Sequence, residues 1–173
     1  LETYLDMYRG AAGADLIGKR GVRALLTDST EAGSFNWTPD LLEHFQRLRG
    51  YDPRPWLPTL TGAIVESRER SDRFLQDFRR TLGDLYATEH YGTVAAVAHE
   101  NGLKVYGESL EGAGSGPGDD LGMRRYADIP MAAQWTVARG AAPYPPTLAD
   151  MRGAASVGHF YGKNIVAAES LTS

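Results

Sequence analysis

Apolar positions in this chain follow two rhythms, one helical and one of short unbroken runs, and glycines and prolines punctuate them. Leu1, Leu5, Tyr8 and Ala12 recur at helical spacing and are closed by Gly13 and Gly18, which predicts a first helix. Residues 22–28, VRALLTD, form a short apolar run between Gly21 and the polar cluster DSTEAGS, the pattern of a buried strand feeding a loop. Thr38 then reads as an N-cap with Pro39 at the first helical position. Leu41, Leu42, Phe45 and Leu48 form the apolar stripe of that helix, and Gly50 stops it. The segment YDPRPWLPTLTG carries three prolines and predicts a connector with one helical turn. The longest periodic stretch runs from Ser71 to Asn101, with Phe74, Phe78, Leu82, Leu85, Val94 and Val97 inward, and ends at the pair Asn101-Gly102.

Beyond that pair, LKVYGE at 103–108 predicts a second strand. The glycine-rich stretch EGAGSGPGDDLG follows; it has no basic residue placed as a phosphate-binding lysine would be, so no phosphate chemistry is assigned to it. A third strand is expected at 126–131 (YADIPM), a helix from Thr147 to about Gly162 and a fourth strand at 164–169 (NIVAAE). Short apolar strands alternating with helices give an α/β fold built of parallel βαβ units, both sheet faces covered. No strand precedes the first helix and no helix follows the last strand. Residues 1–173 are therefore expected to be a single fragment, about half of a larger barrel, with its first and last elements truncated.

Composition narrows the chemistry. The 173 residues carry 18 Lys+Arg against 22 Asp+Glu, a net charge of -4, so nothing draws the chain as a whole to phosphate backbones or anionic lipid, and nucleic acid is not an expected partner. There is no cysteine, which removes disulfides, thiolate metal sites and cysteine nucleophiles; a metal would have to use oxygen or imidazole. No run approaches the ~20 apolar residues of a membrane span, and the first residues lack the order of a signal peptide. A soluble segment is expected, with the compartment left open.

What remains is a recurrence of acids. Glu31 follows the first strand, Glu108 ends the second predicted run and Glu169 ends the fourth, the last two in the related tetrapeptides GESL and AESL. In parallel α/β folds the carboxyl ends of strands converge on one crevice. Carboxylates brought together there push their ionisations apart, so that one can act as an acid while its partner stays charged. Such a pair suits glycoside hydrolysis; solvated loop positions or ion-pair partners are the plainer alternative. Sugars also need aromatic platforms and amide hydrogen bonds. Asn36-Trp37 lies just beyond Glu31, Tyr106 precedes Glu108, and Gln134-Trp135 follows the third predicted strand; with Asp28 and Glu108 they make up the candidate substrate-binding set. Trp37 and Trp135 fit core filling equally well.

The runs DSTEAGSFNWTPDLLEHFQRLRGYDPRPWLP, SDRFLQDFRRTLGDLYATEHYGTVAAVAHENGLKVYGES, ADIPM…W and IVAAESLTS resemble the catalytic barrel of glycoside hydrolase family 106, the α-L-rhamnosidases, over about residues 20–173. The resemblance implies part of a (β/α)8 TIM-like barrel, an inverting α-L-rhamnosidase cleaving terminal rhamnose, and calcium in the site. It implies that Glu31 is the general acid and Glu169 the general base, and that the remaining barrel and accessory domains belong to the same parent chain. Where family members often read DIPMGEFW this chain reads DIPMAAQW, so Gln134 is taken to stand in place of a carboxylate. Glu108 could then supply oxygen to a metal. A carbohydrate-binding barrel without turnover, or a scaffold piece of a multidomain protein, stays open at this level.

Overall fold

The computed structural model describes residues 1–30, 36–109, 118–135, 137, 140–142 and 145–170. Four strands, β1 (Ala24–Thr27), β2 (Lys104–Gly107), β3 (Ile129–Gln134) and β4 (Ala167–Ser170), form one sheet in the order β1-β2-β3-β4. Every neighbouring pair is parallel. Each crossover therefore advances by one strand in the same direction, so the connecting helices collect on one face and the other face becomes the concave side. The result is a half-barrel of the (β/α)8 type, as expected from the alternation of elements.

The helices are α1 (Glu2–Ala12), α2 (Leu41–Arg49), α3 (Arg68–Leu85), α4 (Thr93–Glu100), α5 (Asp120–Arg124) and α6 (Pro145–Phe160). Leu25 of β1 and Val105 of β2, paired in register, pack with Ala95 and Ala98 of α4, Leu103 and Ala127, and Leu5 of α1 joins them. That fixes odd-numbered positions of β1 and β2 on the helix side. A second cluster, Leu41, Phe45, Phe74, Phe78 and Leu82, locks α2 to α3; Leu41 and Phe45 are fully buried, each contributing on the order of 1.5–3 kcal/mol relative to exposure.

Several boundaries move from their expected places. The α2 helix begins at Leu41 rather than Pro39, because Thr38 and Pro39 are taken up in a turn: the Leu41 N–H donates to the Thr38 carbonyl and the Asp40 N–H to the Thr38 hydroxyl. Gly50 stops it as expected, with φ 83° in the left-handed region. The proline-rich connector is a 3₁₀ helix over Arg54–Thr61. The long periodic stretch is three pieces end to end, with a π-helical segment at Tyr86–Gly92 between α3 and α4. Its two halves bury against different partners, Phe74, Phe78 and Leu82 against α2 and Ala95 and Ala98 against the sheet, and the π segment re-phases the apolar stripe between them. The third and fourth strands lie three residues later at their start than the sequence pattern predicts, so Gln134 belongs to the third strand and not to the loop after it, while Glu169, expected at the end of the fourth strand, lies within it. Among the described residues, no helix is long and apolar enough to cross a membrane.

Candidate active site

Register decides which side chains share the concave face. Ala24 pairs with Lys104 and Leu26 with Tyr106, so the next step of the same parity places Asp28 beside Glu108, and the Glu108 N–H extends the ladder by donating to the Thr27 carbonyl at 3.1 Å. Tyr106 pairs with Ile129, and two residues apart along β3, Met131 and Ala133 pair with Ala167 and Glu169. Asp28, Glu108, Ala133 and Glu169 thus share the face opposite the helices at the carboxyl end of the sheet, with Ala133 and Glu169 two residues further along their strands than the level of Asp28 and Glu108.

The three acids of that face meet. Carboxylate oxygens of Asp28, Glu108 and Glu169 all lie within 4.8 Å of one another, although 61 residues or more separate successive members of the group along the chain. Glu108 is buried at 5% exposure, Glu169 is half-buried and Asp28 is exposed, so the group spans from the floor of the site to solvent. The donor set is all carboxylate, which suits a hard cation. Calcium binds oxygen at about 2.3–2.6 Å, so two ligands on opposite sides of one ion stand about 5 Å apart, and the observed spread fits that span.

Gly107 lets Glu108 reach this place. A Cβ on Gly107 would run into the Thr27 hydroxyl and come within 2.6 Å of the Thr27 carbonyl oxygen, so β1 and β2 could not keep their register with a side chain there. Gly107→Ala is expected to lower stability by about 1–3 kcal/mol through forced strand separation, which a denaturant melt reads as a lower midpoint at unchanged slope. Unchanged stability would mean the strands part without cost.

The other predicted residues are placed as follows. Glu31 lies outside the described residues. Asn36 and Trp37 are exposed, Trp37 at 52%, and Trp135 is 48% exposed just past β3, so neither tryptophan fills the core. Tyr106 is half-buried on the concave face. Gln134 is a correction. It sits one residue out of phase with the carboxylate face, exposed, with its Oε1 3.5 Å from the Ser170 hydroxyl, and the position in line with Glu169 is Ala133. A carboxylate at 133 would face the acids; an amide at 134 does not.

Two features near the site have no counterpart in the sequence reading. Tyr91, 6% exposed in the π segment, places its hydroxyl 3.2 Å from that of Thr30, the residue before Glu31. Burial pushes the Tyr91 hydroxyl above its ordinary range, so it stays protonated. Arg124 is a fully buried cation whose side chain reaches Ser109, Asp120 and Asp150. The GMRRY run that holds Arg124 looks locally like a solvated basic pair; only the acid four residues earlier, Asp120, hints otherwise.

A one-way-wound parallel sheet with acids gathered at the carboxyl ends of its strands has the site plan of a (β/α)8-barrel enzyme. The chain belongs to glycoside hydrolase family 106, alpha-L-rhamnosidase, whose family model matches residues 1–173. It is similar to the solved structure of a rhamnosidase from Novosphingobium sp. PP1Y, at 67% identity and a TM-score of 0.94 over 98% of this chain and 16% of that one. It is also 40% identical over 158 residues to a Formosa agariphila protein named "Putative beta-glucuronidase", covering 91% of this chain and 13% of the relative. The chain thus spans less than a fifth of the length of either relative.

Proposed function

We propose that the full-length protein is an inverting α-L-rhamnosidase and that this segment supplies its acid–base and substrate-holding carboxylates. The observation that carries the reading is the meeting of Asp28, Glu108 and Glu169 at the strand ends of a chain in this family. In the proposed reaction Glu31 donates a proton to the glycosidic oxygen as the bond to the anomeric carbon breaks. Glu169 takes a proton from a water that attacks that carbon from the opposite face. Inversion of this kind needs acid and base carboxyls about 6.5–9.5 Å apart, with room for the water. Asp28 and Glu108 hold the sugar and are the residues that would hold calcium together with Glu169. When bound, the ion would offset the clustered negative charge and offer coordination to sugar hydroxyls. The rest of the barrel and any accessory domains come from the longer parent chain, as the 16% and 13% coverage of the two relatives supports.

The name of the Formosa agariphila relative raises a second reading, a glucuronidase. The first is favoured by the family model that matches residues 1–173 and by 67% identity to a solved rhamnosidase, against 40% identity to the relative with the other name. Assaying the full-length protein on matched aryl α-L-rhamnoside and aryl β-D-glucuronide separates the two: the rhamnoside is expected to be cleaved and the glucuronide left intact. Glucuronide cleavage alone reverses the assignment, and sugar binding without cleavage of either makes this a binding barrel.

A further inference from the structure

The Arg124 guanidinium is the centre of a hydrogen-bond network whose outer links reach the segments that carry the acids. Its side chain is fully buried, yet its contacts come from three elements. One terminal nitrogen donates to the Ser109 hydroxyl at 3.0 Å, to Asp120 at 2.8 Å and to the Asp150 carboxylate; the other donates to the Asp150 carbonyl at 3.0 Å. Ser109 is the residue after Glu108, and its hydroxyl also donates to Asp120. The Ser109 carbonyl accepts the Thr30 N–H at 3.2 Å, which ties the loop after β1, two residues beyond Asp28, to the loop after β2. On the far side, the second carboxylate oxygen of Asp150 accepts the Ala133 N–H at 2.7 Å, and Ala133 is the register partner of Glu169.

A cation this deep costs several kcal/mol in lost hydration unless geometry and hydrogen bonds compensate it, and replacement by a packed apolar side chain is often no worse for stability. Stability alone therefore gives little reason for a buried arginine here. Two of its three partners do: Ser109 is the residue after Glu108, and Asp150 accepts the N–H of Ala133, the register partner of Glu169. We infer that Arg124 is a positioning residue, which through Ser109 and Asp150 holds Glu108 and Glu169 at the mutual distance their chemistry needs. This rests on the proposed rhamnosidase reading for what the carboxylates do, but the geometry it concerns can be read without catalysis. The guanidinium matters because its second terminal nitrogen also holds the Asp150 carbonyl, a bond that a lysine, with one charged nitrogen on a shorter reach, cannot add to the others.

Three variants of the full-length protein test it: Ser109→Ala, which removes the hydroxyl and keeps the carbonyl for Thr30; Asp150→Asn, which keeps an acceptor for Ala133; and Arg124→Lys. Terbium ion, a luminescent probe for calcium-type oxygen sites, reads the carboxylate geometry, and steady-state kinetics on the aryl rhamnoside reads its use. All folded variants should bind terbium about tenfold more weakly, and kcat should fall roughly tenfold or more while KM moves less than about threefold. Variants that melt at lower temperature but keep wild-type terbium affinity and kcat would make the network a stabilising one only and overturn the inference. Should Arg124→Lys fail to fold, the two milder variants decide. Wild-type protein that binds terbium but cleaves no glycoside defeats the rhamnosidase reading and leaves the terbium comparison to judge Arg124. Wild-type protein that cleaves but binds no terbium removes the cation and leaves kcat to judge it, and failure of both overturns both.

Discussion

Full-length protein carrying Glu169→Gln is expected to lose roughly 10²–10⁴-fold in kcat on an aryl α-L-rhamnoside, with KM little changed. The size follows from what a positioned general base contributes to a proton transfer. Glutamine keeps the shape of the side chain and an acceptor oxygen, so sugar binding persists while water activation is lost. Glu169 is half-buried in β4 with its neighbours Asp28 and Glu108 on the same face, so the substitution does not leave a hole in the core. Glu31→Gln should match it in kcat with a poor leaving group that must be protonated to depart and be milder with an activated aryl one, since a leaving group that departs as an anion needs less help from an acid. Equal activity of Glu169→Gln and wild type would remove Glu169 from the chemistry.

The second large effect concerns the cation. Chelation of the full-length protein is expected to suppress hydrolysis, calcium to restore it, and Glu108→Gln to weaken calcium by roughly 10–100-fold or more, since a direct ligand should cost at least as much as the outer partners that orient ligands. Glu108 is the buried member of the group, so it donates its oxygen with the least competition from water. Asp28→Asn, at the exposed rim, should weaken calcium less. Activity indifferent to chelation, with Glu108→Gln and wild type alike, would leave the three acids without a metal role.

Much of this site could be read along the chain because strand geometry is local. A run such as LKVYG announces a strand, and the acid that follows it must project at the strand's carboxyl end, so Glu108 was placeable from its neighbours. Asp28 was legible in the same way at the end of VRALLTD. The third strand was displaced in the sequence reading because its core is Pro130 and an alanine pair, poor strand formers whose assignment depends on the sheet on both sides. Gln134 was assigned one position too far: DIPMGEFW set over DIPMAAQW puts its glutamate at Ala133, the residue whose register partner is Glu169. The π segment went unseen because Leu85 and Val94 fit one continuous helical stripe, although their clusters are separate. Arg124 was invisible for a stronger reason. Its burial depends on Ser109, Asp120 and Asp150, which come together only when β2, α5 and α6 have packed.

The most direct measurement is a crystal structure of the full-length protein soaked with L-rhamnose and calcium. The sugar should lie against Glu169 at the carboxyl end of the sheet, with an ion bound by Asp28, Glu108 and Glu169. An opposite outcome is equally plain: rhamnose seated elsewhere, for instance in the roughly 600 Å³ cavity beside Phe160 and Tyr161, with the three acids touching neither sugar nor ion.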